Sequence, residues 1–338
     1  MKKYKKSYCT NIPALRVVLT SQCNLNCEYC PPKGENFVNT EKSLETEKLL
    51  KILKIFYEIG FRQFGFTGGE PLLKKDLPII LKACSKFKGK YFKLYTNGTL
   101  FKEKINILEE FDLVKLSLDT INRKKYEEIT GRDNLKDILE GIELAKKNKI
   151  KIRINTVLTQ KNCDDILNLI EFCYNKQLDL KILDLNCFDV PGYSMWKTLY
   201  KSPLKIVNFL ERKGSIKKII YTTGNYGIAM PEFRLNGISI RIKDTKKGSV
   251  YSPICINCRY FLCQEGLYQI TLTSDGKLKM CRHRSDISID LNHKKTDLDI
   301  KNSITRFVQD HYFLTKRLYL KKQVFLGQFG IGKNAAKK

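Results

Sequence analysis

The segment SQCNLNCEYCPP, residues 21–32, places Cys23, Cys27 and Cys30 within eight positions, directly after the apolar run of residues 15–20. Thiolates bind zinc and iron-sulfur clusters well, and a structural zinc site is closed by four protein ligands, generally as separated pairs. Three thiolates fall one short. On a cubane [4Fe-4S] cluster, three cysteines hold three irons and leave the fourth open to a ligand that is not protein. The spacing predicts such a cluster, against zinc completed by a distant residue or a purely structural cluster. A second group, Cys255, Cys258, Cys263 and Cys281, offers four thiolates. These can close a cluster completely, hold one with three and leave an open iron, or form a zinc ribbon. Cys9, Cys84, Cys163, Cys173 and Cys187 stand alone and read as small buried apolar residues.

Short β-rich runs alternate with helical patterns along the first half of the chain, the pattern of consecutive βα units building a parallel sheet. Strands are expected at 15–20, 63–67, 91–96, 113–118, 150–158 and 180–186. Helices are expected over residues 46–59, with Leu49, Leu50, Leu53, Ile55 and Phe56 on one face, and over 135–148, with Ile138, Leu139, Ile142 and Ala145 at helical spacing. Six such units are too few for a closed eight-unit barrel, so the fold class is α/β, a partial (β/α)6 TIM-like barrel. Ligands of such folds collect at the carboxyl ends of strands. The cysteine triplet follows the first strand, Thr67-Gly68-Gly69-Glu70-Pro71 the second and Thr96-Asn97-Gly98 the third, while Ser117-Leu118-Asp119 ends the fourth.

After about residue 190 this rhythm fails. Residues 221–237 read as loop and short strand, residues 270–281 as a hairpin turning at Asp275-Gly276, and residues 299–322 as a basic helix. The expected organisation is a partial-barrel domain over 1–225, an auxiliary-cluster domain over 226–298 and a basic helical tail over 299–338. No apolar segment reads as a signal peptide or membrane span, which predicts a cytoplasmic protein with reduced thiols. The net charge of +27 is spread along the chain, as lysines on solvated helix faces are, and carries no docking geometry for nucleic acid.

The Cys23-x-x-x-Cys27-x-x-Cys30 triplet, with Tyr29 before its last cysteine, resembles the radical S-adenosylmethionine (SAM) superfamily. That resemblance implies a cluster whose open iron is chelated by the amino and carboxylate groups of SAM. One electron then cleaves the sulfonium bond to give methionine and a 5'-deoxyadenosyl radical, which takes hydrogen from a substrate. It implies further that Thr67, Gly68, Gly69 and Glu70 receive the SAM ammonium, and that Asn97, Ser117 and Asn155 line the SAM pocket with Tyr29 against adenine. The electron donor would be a flavodoxin or ferredoxin.

LRVVLTSQCNLNCEYCPP, FTGGEPLLKKDL, VKLSLDT, ITGRDNLKDILEGIELAKK and LTSDGKLKMC are together similar to the GTP 3',8-cyclases of molybdenum cofactor biosynthesis. This likeness implies a nucleotide substrate, a second [4Fe-4S] cluster on the later cysteines, and a triphosphate contact for Arg16. The chain departs from that family where GLYQI, residues 266–270, carries no arginine, and where it ends without a Gly-Gly pair. A maturase acting on a peptide or another small molecule is the alternative. A non-catalytic iron-sulfur or zinc protein that binds RNA is the reading of a different class.

Overall fold

The structure, a computed structural model, describes residues 14–30, 43–186, 193–213, 216–220, 230–243, 252–255, 258, 267, 269–294 and 296–316. The chain opens with β1 (Leu15–Val18), α1 (Thr46–Glu58), β2 (Gln63–Thr67), α2 (Leu77–Cys84), β3 (Tyr91–Thr96), α3 (Ile105–Leu108) and β4 (Leu113–Ser117). It continues through α4 (Arg123–Thr130), α5 (Leu135–Lys147), β5 (Ile152–Leu158), α6 (Ile166–Asn175) and β6 (Asp179–Asp184). All six expected strands are present and pair in parallel in sequence order. The partial (β/α)6 barrel is therefore the architecture, and the sheet then grows at both edges.

Beyond β6 come α7 (Tyr193–Leu199), α8 (Leu204–Arg212), β7 (Ile216–Ile220), β8 (Met230–Leu235) and β9 (Ile238–Lys243). β9 pairs in parallel with β6, while β7, β8 and β9 form an antiparallel meander. At the opposite edge β10 (Ile270–Leu272) pairs in parallel with β1, followed by β11 (Lys277–Lys279) and β12 (Ser288–Asp290). The expected hairpin is the β10–β11 pair, turning through Gly276 at φ +81°. One sheet of twelve strands thus holds every strand among the described residues.

The last helix, α9 (Asp297–Lys316), buries Ile300, Ile304, Phe307 and Val308, and Lys51–Asp297 and Lys301–Glu58 ion pairs at 3.3 Å tie it to α1. Residues 317–338 of the expected basic tail, and Cys9, Cys187 and Cys263, lie outside the described residues. No helix among the described residues is long and apolar enough to cross a membrane.

Strand alternation sorts the sheet into two faces. Phe64, Phe66, Phe92, Leu94, Val114, Leu116, Ile152, Ile154, Leu180 and Ile182 are buried with the apolar faces of the helices. α1 buries Leu49, Ile52, Leu53, Ile55 and Phe56, so Ile52 takes the central place expected of Leu50. The opposite, inner face carries buried Gly65 and, at the half-buried or exposed positions of the other strands, Arg16, Lys93, Tyr95, Lys115, Ser117, Arg153, Asn155, Lys181 and Arg241. Lys115 is in register with Tyr95 and Arg153, and Asn155 with Ser117 and Lys181, so these side chains form rows across the sheet.

One helix position runs against intrinsic propensity. Gly141 sits mid-helix in α5 because a Cβ there would lie 2.7 Å from the Cβ of buried Phe101. Gly141→Ala is expected to destabilise by about 1–3 kcal/mol of overpacking, only partly offset by about 1 kcal/mol of helix propensity. Urea unfolding checks this, and a variant more stable than wild type contradicts it.

Candidate active site

The cysteine loop leaves β1 along the backbone of the glycine turn after β2. Leu19 N–H donates to Thr67 O, Gly69 N–H to Thr20 O and Glu70 N–H to Gln22 O, each at 2.8 Å. A Cβ on Gly68 would stand 2.5 Å from Thr20 O, and one on Gly69 2.1 Å from Gln22 O. The two glycines are demanded by the cysteine loop itself, where main chain meets main chain. On its far side Asn26 N–H and Glu28 N–H donate to Thr130 O and Ile129 O at the end of α4 (2.9 and 3.0 Å). Gly131, left-handed at φ +70°, closes that helix against Asn26.

Within the loop, Cys30 N–H donates to Cys27 O at 3.0 Å, and Cys23 and Cys30 lie near enough to Cys27 for their charges to be felt there. Burial, then Asp119, Cys30 and Cys23, push the half-buried Cys27 thiol well up. Cys23 and Cys30 are exposed. Burial also raises Cys23, whose sulfur accepts weakly from Leu25 N–H (3.5 Å) and from Asn97 Nδ2 (3.9 Å). A bare thiolate is disfavoured here, so the site gains most from a cation that replaces the protons.

Glu70 is fully buried, with Oε1 accepting from Leu72 N–H (3.0 Å) and Thr96 Oγ1 (2.8 Å), and Oε2 from Asn97 N–H (2.8 Å). Burial lifts its carboxyl to about 7 against these donors. It thereby fastens the β2 turn to the end of β3. Asn97 Nδ2 in turn donates to Asn24 Oδ1 (2.9 Å), and Asn24 Nδ2 to Thr99 Oγ1 (2.8 Å). Thr67 is buried, with its hydroxyl accepting from Arg16 Nη2 at 3.3 Å.

Ser117 and Asn155 lie side by side where β4 and β5 pair. Asn155 Oδ1 is enclosed and has no hydrogen-bond partner among the described residues. Asp119 was legible in the SLDT run only as a neighbour of Ser117. In the structure it accepts the Tyr29 hydroxyl, so Tyr29 is anchored through its oxygen. Thr96 and Asn24 carried no sequence signal apart from their neighbours.

Below Ser117 and Asn155 the inner face is basic. Burial, then Arg153, Arg16 and Arg241, lower the Lys115 ammonium to about 7. Burial, then Lys115, lower Lys93 to about 8, and burial with four neighbouring cations lowers Lys181 strongly. Lys115 Nζ donates to Tyr95 OH at 2.8 Å, and the Tyr95 ring lies between Arg16 and Lys115, 4.7 and 4.2 Å from its centroid. Arg241 pairs with Glu232 at 2.9 Å, whereas Arg153 Nε is enclosed without a partner. Cations on this face are thus gathered inward, where the sequence suggested only solvated helix surface.

Of the later cysteines, Cys258 and Cys281 lie near enough to Cys255 for their charges to be felt there. Cys255 N–H donates to Ser252 O (2.8 Å) and Cys258 N–H to Cys255 O (3.1 Å). Burial pushes Cys255 up to about 11, and Cys281 and Cys258 add to the rise. Buried Cys281 follows β11, and Arg284 Nη1 donates to Ile254 O at 2.9 Å beside the pair.

Gly69→Ala tests the backbone seam. It is expected to lower Tm and to reduce iron bound on anaerobic reconstitution, because Gln22 O must shift away. Wild-type Tm together with wild-type iron would contradict the seam's role.

Comparison with known proteins agrees with this geometry. Residues 17–173 match the family described as the Radical SAM superfamily. A GTP 3',8-cyclase of Clostridium perfringens (strain SM101 / Type A) is 36% identical over 328 residues, covering 92% of this chain and 95% of that protein. A probable GTP 3',8-cyclase of Sulfurisphaera tokodaii is 30% identical over 286 residues, covering 83% and 84%. Among solved structures, native anSMEcpe with bound AdoMet shares the fold at TM-score 0.62 and 18% identity, covering 92% of this chain and 85% of that one. The chain is an enzyme of the radical SAM superfamily, a family that uses a [4Fe-4S] cluster and SAM, and it belongs with the GTP 3',8-cyclases.

Proposed function

We propose that this enzyme acts on a nucleoside triphosphate, as its GTP 3',8-cyclase relatives are named for doing. The observation that carries the reading is the basic inner face. Barrel interiors are ordinarily filled by packed apolar side chains. Here Lys93, Lys115, Arg153 and Lys181 occupy that space, and none of them has a carboxylate within ion-pair distance among the described residues. Half-buried cations with no carboxylate partner are costly, and a polyanionic ligand offsets that cost.

In this reading Cys23, Cys27 and Cys30 hold the cluster, which when bound supplies the electron that splits SAM. Main-chain groups at 67–69 face the SAM amino group, with Glu70 supplying negative charge from behind. Ser117 and Asn155 bind the sugar or carboxylate, Asn155 through its unpartnered Oδ1. The cations beside and below Ser117 and Asn155 hold the phosphates together with Arg16. Cys255, Cys258 and Cys281 hold a second cluster in an auxiliary segment spanning 226–298, followed by a basic tail over 299–338. Cys263 belongs to the same expected ligand set and lies outside the described residues. A flavodoxin or ferredoxin supplies the electron.

Anaerobic incubation with SAM, dithionite and GTP is expected to yield 5'-deoxyadenosine, methionine and a new nucleotide, and Cys27→Ala to yield none. Unchanged GTP beside cleaved SAM would reject the nucleotide reading alone. The lowered lysines add a pH dependence. An anion binds the protonated forms, so affinity is full below pH 7 and falls as Lys115 and then Lys93 lose protons. Calorimetric Kd for GTP is expected to weaken roughly tenfold or more from pH 6.5 to 8.5. A pH-independent Kd would mean that these lysines do not meet the phosphates.

A further inference from the structure

Behind the cysteine loop sits a carboxylate that the preceding roles leave unused. Asp119, 6% exposed, accepts from Val157 N–H (2.7 Å), from Thr156 Oγ1 (3.2 Å) and from the Tyr29 hydroxyl. Its own carbonyl oxygen accepts from Asn162 Nδ2 at 2.9 Å, and the same amide donates to Val157 O at 2.9 Å. The ends of β4 and β5 are clamped together around this carboxylate. Its position is fixed by the sheet and owes nothing to the loop.

Tyr29 stands between Cys27 and Cys30, so its bond to Asp119 carries the middle of the cysteine loop onto the β4–β5 edge. Asp119 also lies close enough to Cys27 to act on it. The bond from Tyr29, two residues after Cys27, keeps the carboxylate beside the loop. A negative charge in a poorly solvated place disfavours adding an electron nearby, and a hydroxyl donating to it draws part of that charge away.

We infer that Asp119 is a positioning residue for the cluster on Cys23, Cys27 and Cys30: through Tyr29 it holds the loop, and its charge keeps the cluster's reduction potential low. The inference rests on the reading of that trio as cluster ligands. A strongly reducing cluster suits a reaction that puts one electron into a sulfonium bond. Tyr29, donating to the carboxylate, partly offsets the charge that Asp119 presents to the cluster. The two residues therefore act on the potential in opposite directions, which a merely structural brace would not do.

The test is an EPR-monitored redox titration of the full, anaerobically reconstituted protein, following the signal that changes when SAM is added. Asp119→Asn, whose amide oxygen still accepts from Tyr29, is expected to raise the midpoint potential with iron content unchanged; Tyr29→Phe is expected to lower the potential and, because the loop loses its tether, to reduce the iron bound. Unmoved potentials, or shifts of both variants in one direction, would overturn the inference. If Asp119→Asn does not fold, Thr156→Val takes its place. It removes a donor from Asp119 with the Tyr29 bond intact, and is expected to lower the potential as Tyr29→Phe does; no shift would overturn the inference. A wild-type protein with no SAM-responsive signal, or a Cys27→Ala protein that keeps it, would instead overturn the cluster reading and this inference with it.

Discussion

Main chain rests directly on main chain where the cysteine loop crosses the turn after β2, and the rest of the site is hung from that seam. Thr20 and Gln22 lend their carbonyls to Gly69 and Glu70, at a separation no side chain could share. Glu70 then reaches from the turn to the backbone of Asn97, and Asn97 reaches back to Asn24 inside the loop. The carboxyl ends of β1, β2 and β3 are joined in a short circuit of hydrogen bonds that the cysteines inherit. Three thiols on a free loop would find a shared geometry only at a large entropic cost. Here the scaffold has met that cost before any cluster binds.

Electrostatics divide the inner face by depth. At the strand ends lie two buried carboxyl groups, Glu70 and Asp119, each surrounded by donors. In the row of Ser117 and Asn155, and in the row below it, most of the charges are cations. In the proposed reading a sulfonium and ammonium ligand lies by the carboxylates and a polyphosphate by the cations. Burial and neighbouring cations lower Lys115 and Lys93, a cost that the proposed anion would offset.

Much of this was legible in the residues. The six strands follow from β-rich runs alternating with helical periodicity, and the hairpin at Asp275-Gly276 from its turn residues. The cysteine spacing and Thr67-Gly68-Gly69-Glu70 marked the site through chemistry that few other arrangements need. What sequence could not show depends on register. Lys93, Lys115, Arg153 and Lys181 are single cations in four separate strands, indistinguishable from surface charge until parallel pairing aligns them. The bond between Tyr29 and Asp119 spans ninety positions and has no local signature. Nor does any periodicity reveal that β10, far along the chain, returns beside β1.

The central claim is that the Cys23, Cys27 and Cys30 trio holds a cluster with a corner open to SAM. Its most direct test is EPR of the reduced protein in which Cys255, Cys258 and Cys281 are replaced by alanine, recorded before and after addition of SAM. The account predicts a single [4Fe-4S] signal whose shape changes when SAM binds. Zinc or no metal at the trio, or a cluster signal indifferent to SAM, would contradict it.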